Sequence, residues 1–293
     1  MTKLILNFQS KETKKLKNPK NFLGGKGANL SKMGEMGLPV PAGFTISTKV
    51  CELFYKNKKK LNLKIIKSIK EELKKVEKES GKKFGDLKNP LLVSVRSGAR
   101  ISMPGMMDTI LNLGLNDKTA LALGKKTSNV RFAKDSYRRF IQMYSNVVLG
   151  VESYNFEELI ENYKLTKGVL LDTELDADDW DGLINDFKKV VKEKTKKEFP
   201  QDVYQQLVGA ISAVFLSWES NRAKVYRKLN HIPSDWGTAV NVQSMVFGNM
   251  GNDCATGVAF TRNPSDGANE IYGEYLINAQ GEDVVAGTRT PQY

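Results

Sequence analysis

One stretch between two apolar segments combines the residue types that bind phosphate groups. Residues 94–109 read SVRSGARISMPGMMDT, with arginines at 96 and 100 and the conformationally special Gly98, Pro104 and Gly105. Backbone N–H groups and guanidinium groups in such a loop can face an anion, most simply a phosphate chain. The alternative is a basic surface loop that joins two core strands. Spacing alone leaves both interpretations open.

A second candidate is the segment Gly24-Gly25-Lys26-Gly27, which lies at a predicted helix start. Glycines allow close approach of the backbone to a phosphate, and a helix N-terminus offers free N–H groups. It is not a Walker P-loop, because no glycine lies five residues before Lys26 and Gly27 replaces the required hydroxyl residue. Leu30 likewise stands where a dinucleotide fingerprint needs its third glycine. A helix-capping turn with an incidental lysine remains the alternative.

Two further groups have weaker signals. Residues 243–248 follow a predicted strand, whose end can offer backbone groups to a purine edge while Met245 and Val246 cover the ring. The alternative is a core strand that runs into a turn.

The carboxylates of Glu274, Glu282 and Asp283 are either Mg²⁺ ligands near phosphates or surface acids. The single histidine, His231, has no acid or cysteine nearby in sequence, so a histidine-activated nucleophile has little support.

The elements that position these residues follow from apolar periodicity. The pattern predicts strands at 1–8, 44–48, 91–93 and 110–115, a helix that opens at Leu23, and helices over 49–56 and 63–81. After residue 115 one helical stripe follows another, and from Thr238 the pattern returns to strands at 239–242, 257–261 and 274–278. We therefore predict an α/β (α+β) part, an all-helical part and a β-rich part.

The charge is concentrated in one region. The 293 residues carry a net charge of +12, yet residues 1–90 alone carry +14, all of their basic residues being lysines. Lysine runs without aromatic or arginine interleaving are typical of solvated helix faces, so we expect no nucleic-acid partner. No apolar run approaches the roughly 18 residues of a membrane span, so we expect no membrane insertion. Cys51 and Cys254 form no paired motif, which favours a reducing, cytoplasmic setting.

Taken together, the segments resemble the N-terminal nucleotide-binding domain of the pyruvate, phosphate dikinase family. Any one motif is weak, but the set covers essentially the whole chain in family order. The matching stretches are 24–30, 94–109, 135–144, 235–243, 257–264 and 273–287.

The resemblance implies an ATP-grasp-like nucleotide-binding domain with an all-helical insert. We expect an N-terminal α/β ATP-binding subdomain over 1–115 and the helical insert over 116–200. Residues 201–246 then return to the first subdomain, and 247–293 begin an incomplete β-rich subdomain.

The resemblance also implies an activity and its participants. Family members convert ATP, phosphate and pyruvate to AMP, pyrophosphate and phosphoenolpyruvate through a phosphohistidine on another domain. ATP and Mg²⁺ are therefore the expected ligands. The phosphohistidine and pyruvate-binding domains are the expected partners, within a homodimeric full-length enzyme.

The same resemblance assigns roles to single residues. Lys26 and Arg96 would hold the triphosphate, with Arg96 as the catalytic residue. Gly105 and Thr109 would belong to a loop that covers the phosphates. The adenine end would be lined by Gln243, Met245 and Val246, and Glu282 would contact the nucleotide; no metal ligand is assigned with certainty.

Two departures leave alternatives open. The chain stops at Tyr293, before the metal-binding acids and the Gln-x-Arg of the family, so we expect an N-terminal piece that cannot perform the full reaction alone. A phosphoenolpyruvate synthase-type dikinase, which uses water, is the alternative enzyme, although residues 103–108 favour the phosphate-using type. A non-catalytic ATP-binding module is the alternative outside enzymes.

Overall fold

The fold combines a central antiparallel sheet with a series of helices. It is given by a computed structural model that describes residues 3–287 and 289–293. The strands are β1 Ile5–Asn7, β2 Gly43–Ile46, β3 Lys83–Phe84, β4 Pro90–Leu91, β5 Val93–Gly98, β6 Thr109–Leu113, β7 Ala239–Ser244, β8 Ala255–Phe260 and β9 Tyr272–Ile277. The helices are α1 Pro19–Glu35, α2 Thr48–Lys56, α3 Leu63–Ser80, α4 Asp117–Thr127, α5 Val130–Leu149, α6 Tyr154–Lys167, α7 Ala177–Thr195, α8 Val203–Ser217, α9 Asn221–Leu229 and α10 Gly281–Ala286.

Five strands form the central sheet in the order β1-β2-β7-β5-β6, and every neighbouring pair is antiparallel. Two small sheets stand apart: β3 pairs with β4, and β8 pairs with β9. β7 therefore inserts between β2 and β5, although about 140 residues separate β5 from β7 in sequence. This mixed α/β architecture confirms the predicted class.

The central sheet has one apolar and one polar face. Because side chains alternate along a strand, Phe44 and Ile46 of β2 point to the same face as Val242 of β7 and Val95 of β5, and all four are fully buried. Helices α3 and α8 contribute apolar side chains to the same core, which also includes Trp180 and other side chains of α4 to α7. The opposite face carries polar residues and lies under α1.

Local capping signals explain where the helices begin and end. The Asn62 side chain accepts the N–H of Ile65 at 2.9 Å to start α3, and Gly81, with φ of 66°, ends it. The predicted helices at 49–56 and 63–81 are confirmed by α2 and α3.

The predicted start of α1 at Leu23 is wrong. The helix begins at Pro19 after the cap Asn18, since a cap followed by proline at the first helical position favours a start there. Gly24 instead marks a break inside the helix, with φ of 69° and ψ of 172°. The chain thus restarts its helix beside Gly25 and Lys26.

The stretch 116–200, all of which the structure describes, contains α4 to α7 and no strand. Residues 247–293 carry the β8–β9 ribbon and α10, joined to β6 by hydrogen bonds between the amides of Gln280 and Asn112. The division into subdomains at 115, 200 and 246 stays a prediction.

Candidate nucleotide site

Arg96 lies at the centre of the polar face of the central sheet. Arg96 on β5 lies directly opposite Thr109 on β6 and Asn241 on β7. Asn241 in turn lies opposite Thr45 on β2, whose hydroxyl donates to Asn241 Oδ1 at 2.8 Å. Residues directly opposite each other on one face have Cβ atoms about 4.5–5.5 Å apart. The structure therefore brings Thr109 beside Arg96.

Glycines bring α1 close to this face. A Cβ on Gly27 would lie 2.6 Å from Thr45 Oγ1 and 2.9 Å from Asn241 Oδ1, so only glycine allows the helix to sit there. A Cβ on Gly24 would lie 1.7 Å from the carbonyl oxygen of Gly98 at the end of β5. The restarted helix of α1 therefore opens directly against the end of the strand that carries Arg96.

Lys26 stands at this restarted helix, next to Arg96. The Gly25 N–H donates to the Ala99 carbonyl at 2.8 Å, which fixes the helix start against the loop. Lys26 Cβ lies 3.7 Å from the position that a Cβ on Gly98 would occupy. The structure thus joins the two sequence-predicted cations, although 70 residues separate them.

The charges of this pair are not neutralised. Burial and the neighbouring Arg96 lower the pKa of Lys26, and burial lowers the pKa of Arg96. Arg96 Nε and Arg100 Nε are both buried without a hydrogen-bond partner. Among residues 3–287 and 289–293, no ion pair involves Lys26, Arg96 or Arg100. A cluster of cations without carboxylates is suited to an anionic ligand.

The loop between β5 and β6 is held from one side. Arg222 of α9 donates from Nε to the Met106 carbonyl at 3.2 Å and forms an ion pair with Asp108. The Asp108 N–H donates to Ser217 Oγ at 3.3 Å, and burial raises the pKa of Asp108. Gly105 lies at the exposed tip, where an added Cβ would meet nothing within 4 Å. The structure does not show Gly105 in contact with Lys26 or Arg96.

The three residues predicted for the adenine end occupy different environments. Gln243 lies two residues after Asn241 on β7, on the same polar face, and donates to the Pro41 carbonyl at 3.2 Å. Met245 is 8 % exposed and packs in the apolar core. Val246 is 72 % exposed. Gln243 therefore faces the same side of the sheet as Arg96, whereas Met245 and Val246 follow the end of β7.

Glu282 lies at the start of α10, paired with an arginine that sequence reasoning missed. Arg139 Nη1 donates to Glu282 Oε1 at 2.7 Å and to Asp283 Oδ1 at 2.8 Å. Arg139 and Arg138 share the buried carboxylate of Asp135. These arginines line a cavity of about 340 Å³ between α5, α6 and the β8–β9 region. In the sequence, the available signal for this arginine was a pair of adjacent arginines about one helical turn after an aspartate.

The described residues lack two features, a metal-binding cluster and a membrane-spanning helix. Residues 3–287 and 289–293 hold no group of three or more histidine, cysteine, aspartate or glutamate side chains placed to bind a metal ion. Within the same residues, no helix combines the length and the apolar character that a bilayer crossing needs.

Comparison with known families gives an independent result. The family described as "Pyruvate phosphate dikinase, AMP/ATP-binding domain" matches residues 20–71 and 60–293. The two matched ranges cover nearly the whole chain. This chain belongs to that family.

Curated relatives agree with the assignment. The chain is 60 % identical over 274 residues to a pyruvate, phosphate dikinase of Clostridium symbiosum, which covers 93 % of this chain and 31 % of the relative. It is 53 % identical to a pyruvate, phosphate dikinase of Rhizobium meliloti, over 100 % of this chain and 32 % of the relative. A chloroplastic pyruvate, phosphate dikinase of Mesembryanthemum crystallinum is 53 % identical, over 99 % and 30 %. The chain thus spans about a third of the length of these relatives.

Proposed function

We propose that this chain is the nucleotide-binding part of a pyruvate, phosphate dikinase and that it binds MgATP. The observation that carries the proposal is that Lys26 and Arg96 are neighbouring cations at a glycine-broken helix and that neither has a carboxylate partner among residues 3–287 and 289–293. The family assignment selects ATP from the anions that such a pair can bind.

The proposed contacts with ATP are arranged along the polar face of the central sheet. Lys26 and Arg96 hold the triphosphate, and Thr109 lies beside Arg96 at the end of the covering loop. The adenine end lies toward Gln243, with Met245 and Val246 at the strand end. Since Gly105 is at an exposed loop tip, its contact with a phosphate requires the loop to fold over the sheet.

Two of the proposed participants fit less directly. Glu282 already accepts a hydrogen bond from Arg139. A contact between Glu282 and the nucleotide therefore either coexists with that ion pair or replaces it. No carboxylate pairs with Lys26 or Arg96 in the described residues, so we treat Mg²⁺ as part of the MgATP substrate and assign it no protein ligand.

The wider reaction sets the task of this part. In the proposed reaction, ATP, phosphate and pyruvate become AMP, pyrophosphate and phosphoenolpyruvate through a phosphohistidine on another domain of a homodimeric enzyme. Phosphoryl transfer depends on positioning and on neutralising charge more than on covalent help from the protein. Arg96 is the proposed catalytic residue because its guanidinium can neutralise charge on the transferring group. An ATP-grasp-like fold with a helical insert over 116–200 is part of the same proposal.

Calorimetric titration with MgATP tests the proposal. We expect the wild-type chain to bind, and Arg96→Ala to weaken binding by roughly 10- to 100-fold, the value of a hydrogen bond to a charged group. Arg262→Ala is the matched control, because Arg262 is exposed and donates only to the Gly267 carbonyl. Absence of MgATP binding by the wild type would overturn the proposal, and equal binding by Arg96→Ala would remove Arg96 from the site.

A further inference from the structure

Asn112 has an unusual backbone conformation for a residue inside a strand. It lies near the end of β6 with a φ of 56°, in the left-handed region that asparagine enters more readily than most residues. The pairing of β6 with β5 shifts register between Val93 and Val95, so two residues of β6 lie opposite one residue of β5. Such a β-bulge changes the direction of a side chain and is common next to active sites. Left-handed backbone of this kind persists where surrounding contacts hold it, which makes the contacts of Asn112 informative.

The Asn112 side chain makes buried hydrogen bonds to two other parts of the chain. Its Nδ2 donates to the Ser136 carbonyl of α5 at 3.3 Å and to Gln280 Oε1 at 3.4 Å. Gln280 Nε2 donates in return to Asn112 Oδ1 at 3.0 Å. The two residues are 1 % and 3 % exposed, and we call this pair of side chains the amide clasp. Buried polar groups that have their partners hold the elements that carry them in one arrangement.

The amide clasp holds the start of α10, the helix that carries Glu282. Gln280 is the cap residue of this helix, and its N–H donates to Asp283 Oδ2 at 2.8 Å. Glu282 follows two residues later. On α5, Arg139 lies three residues after Ser136 and donates to Glu282 Oε1 at 2.7 Å. The start of α10 and the Glu282 carboxylate are therefore both held against the same stretch of α5.

The strand of the amide clasp also carries a residue of the candidate nucleotide site. Thr109 lies directly opposite Arg96 and precedes Asn112 by three residues in β6, which is about 10 Å along a strand. An ionised carboxylate only accepts hydrogen bonds and is repelled by phosphate oxygens, so the groups of ATP that suit Glu282 are the hydroxyl and amino donors of the nucleoside. β6 thus connects the position of Arg96 to the position of Glu282.

We propose that Asn112 and Gln280 are positioning residues, which hold Glu282 at a nucleoside donor of an ATP molecule whose phosphates lie at Arg96. The inference deepens the proposed function and rests on it, because it takes Glu282 as a contact of ATP. It adds that the bulge of β6 sets this contact, since the bulge directs Asn112 toward Gln280.

Calorimetric titration of the 293-residue chain with MgATP and with magnesium tripolyphosphate, which lacks the nucleoside, tests this role. Gln280→Met keeps the length of the side chain and removes its amide. We expect its MgATP affinity to fall roughly tenfold, because Glu282 loses its position, and its tripolyphosphate affinity to stay within about twofold of the wild type. Asn112→Gly keeps the left-handed backbone without strain, and it should show the same difference between the two ligands.

A double-variant cycle separates positioning from packing. Glu282→Ala should lower MgATP affinity at least as much as Gln280→Met, and the double variant should lose no more than Glu282→Ala alone, since Gln280 acts through Glu282. Gln206→Met is the matched control, because Gln206 is another buried amide and donates to the Leu115 and Pro200 carbonyls. We expect this control to lower the thermal unfolding temperature without changing the affinity for either ligand.

The outcomes separate the inference from the proposed function. Failure of the wild type to bind MgATP would overturn both. Wild-type binding together with unchanged MgATP affinity in Gln280→Met, an equal loss of both ligands, or a further loss in the double variant would overturn the positioning role alone. Thermal unfolding shows which variants are folded at the titration temperature. If Asn112→Gly is unfolded, or if tripolyphosphate binds too weakly to measure, the cycle of Gln280→Met and Glu282→Ala with MgATP decides.

Discussion

Buried cations are concentrated in two regions of this molecule. In one region they are paired with carboxylates, whereas in the other no carboxylate of the described residues pairs with them. In the region around α5, Arg138 donates to Asp135 and to Asp172, each at 2.8 Å, and its guanidinium lies 4.3 Å from the Trp180 ring centre. Arg139 is paired with Asp135, Glu282 and Asp283. In the region around α1 and β5, Lys26 and Arg96 have no carboxylate among the described residues.

The pKa values follow this difference. Burial would raise the pKa of Asp135, but Arg139, Arg138 and Arg131 outweigh it and hold the pKa below its ordinary value. Burial alone would lower the pKa of Arg139, yet its three carboxylates raise it well above the ordinary value. Lys26 and Arg96 show uncompensated lowering instead. Carboxylates therefore compensate the buried cations of the first region, whereas the described residues supply no carboxylate to Lys26 and Arg96.

Removing the shared carboxylate should produce the largest effect. We expect Asp135→Asn to lower the free energy of unfolding by about 3–5 kcal/mol, because two buried guanidinium groups lose their common partner. Urea unfolding measures it. The control is Asp181→Asn, whose carboxylate is 58 % exposed and pairs with Lys134 at 2.9 Å; we expect a loss of at most about 1 kcal/mol there. If Asp135→Asn and Asp181→Asn lower the free energy of unfolding equally, the buried ion pairs of Asp135 stabilise the fold no more than an exposed ion pair does.

The same contrast predicts opposite responses to the loss of an arginine. We expect Arg138→Met to destabilise the fold by about 3–5 kcal/mol, since Asp135 and Asp172 lose a buried partner. Arg96→Met should change the free energy of unfolding by less than about 1 kcal/mol, in the stabilising direction, because it removes a buried cation that has no partner. Urea unfolding of both variants decides the point. A destabilisation by Arg96→Met similar to that by Arg138→Met would remove the distinction between the regions.

The residue types of the candidate nucleotide site could be predicted from the sequence, and its local elements only in part. An arginine in a glycine-containing segment after a predicted strand, and a lysine among glycines near a helix start, are local signals, although the structure places Arg96 within β5 and not in a loop. Each signal by itself indicates a phosphate-binding candidate, Arg96 in the first case and Lys26 in the second. The proximity of Lys26 to the strand of Arg96 could not be predicted from either motif, because it depends on Gly24 breaking α1 against Gly98.

Non-local pairing explains what the sequence could not predict. Asn241 faces Arg96 only because β7 inserts between β2 and β5, a choice that no local pattern specifies. The sequence around Arg139 has the pattern of the polar side of an amphipathic helix. It gives no sign of the ion pair with Glu282, because Glu282 lies 143 residues away. The position of Met245 after a strand predicts a place at the adenine end, and in the structure its side chain packs among apolar residues. Periodicity identifies a buried position without identifying which cavity or core it enters.

The smallest expected effect is a pH dependence that belongs to one region only. Burial and Arg96 lower the pKa of Lys26 below its ordinary value of 10.5, so the ammonium loses its proton earlier than an exposed lysine does as the pH rises. Because the protonated form binds phosphate, we expect MgATP affinity to fall as the pH increases from about 8 to about 10. Lys26→Arg should remove most of this fall, since a guanidinium stays protonated throughout that range. Calorimetric titrations across the range measure both profiles. A wild-type profile as flat as that of Lys26→Arg would mean that the proton of Lys26 is not linked to MgATP binding, and the proposed contact of its ammonium with the phosphates would be wrong.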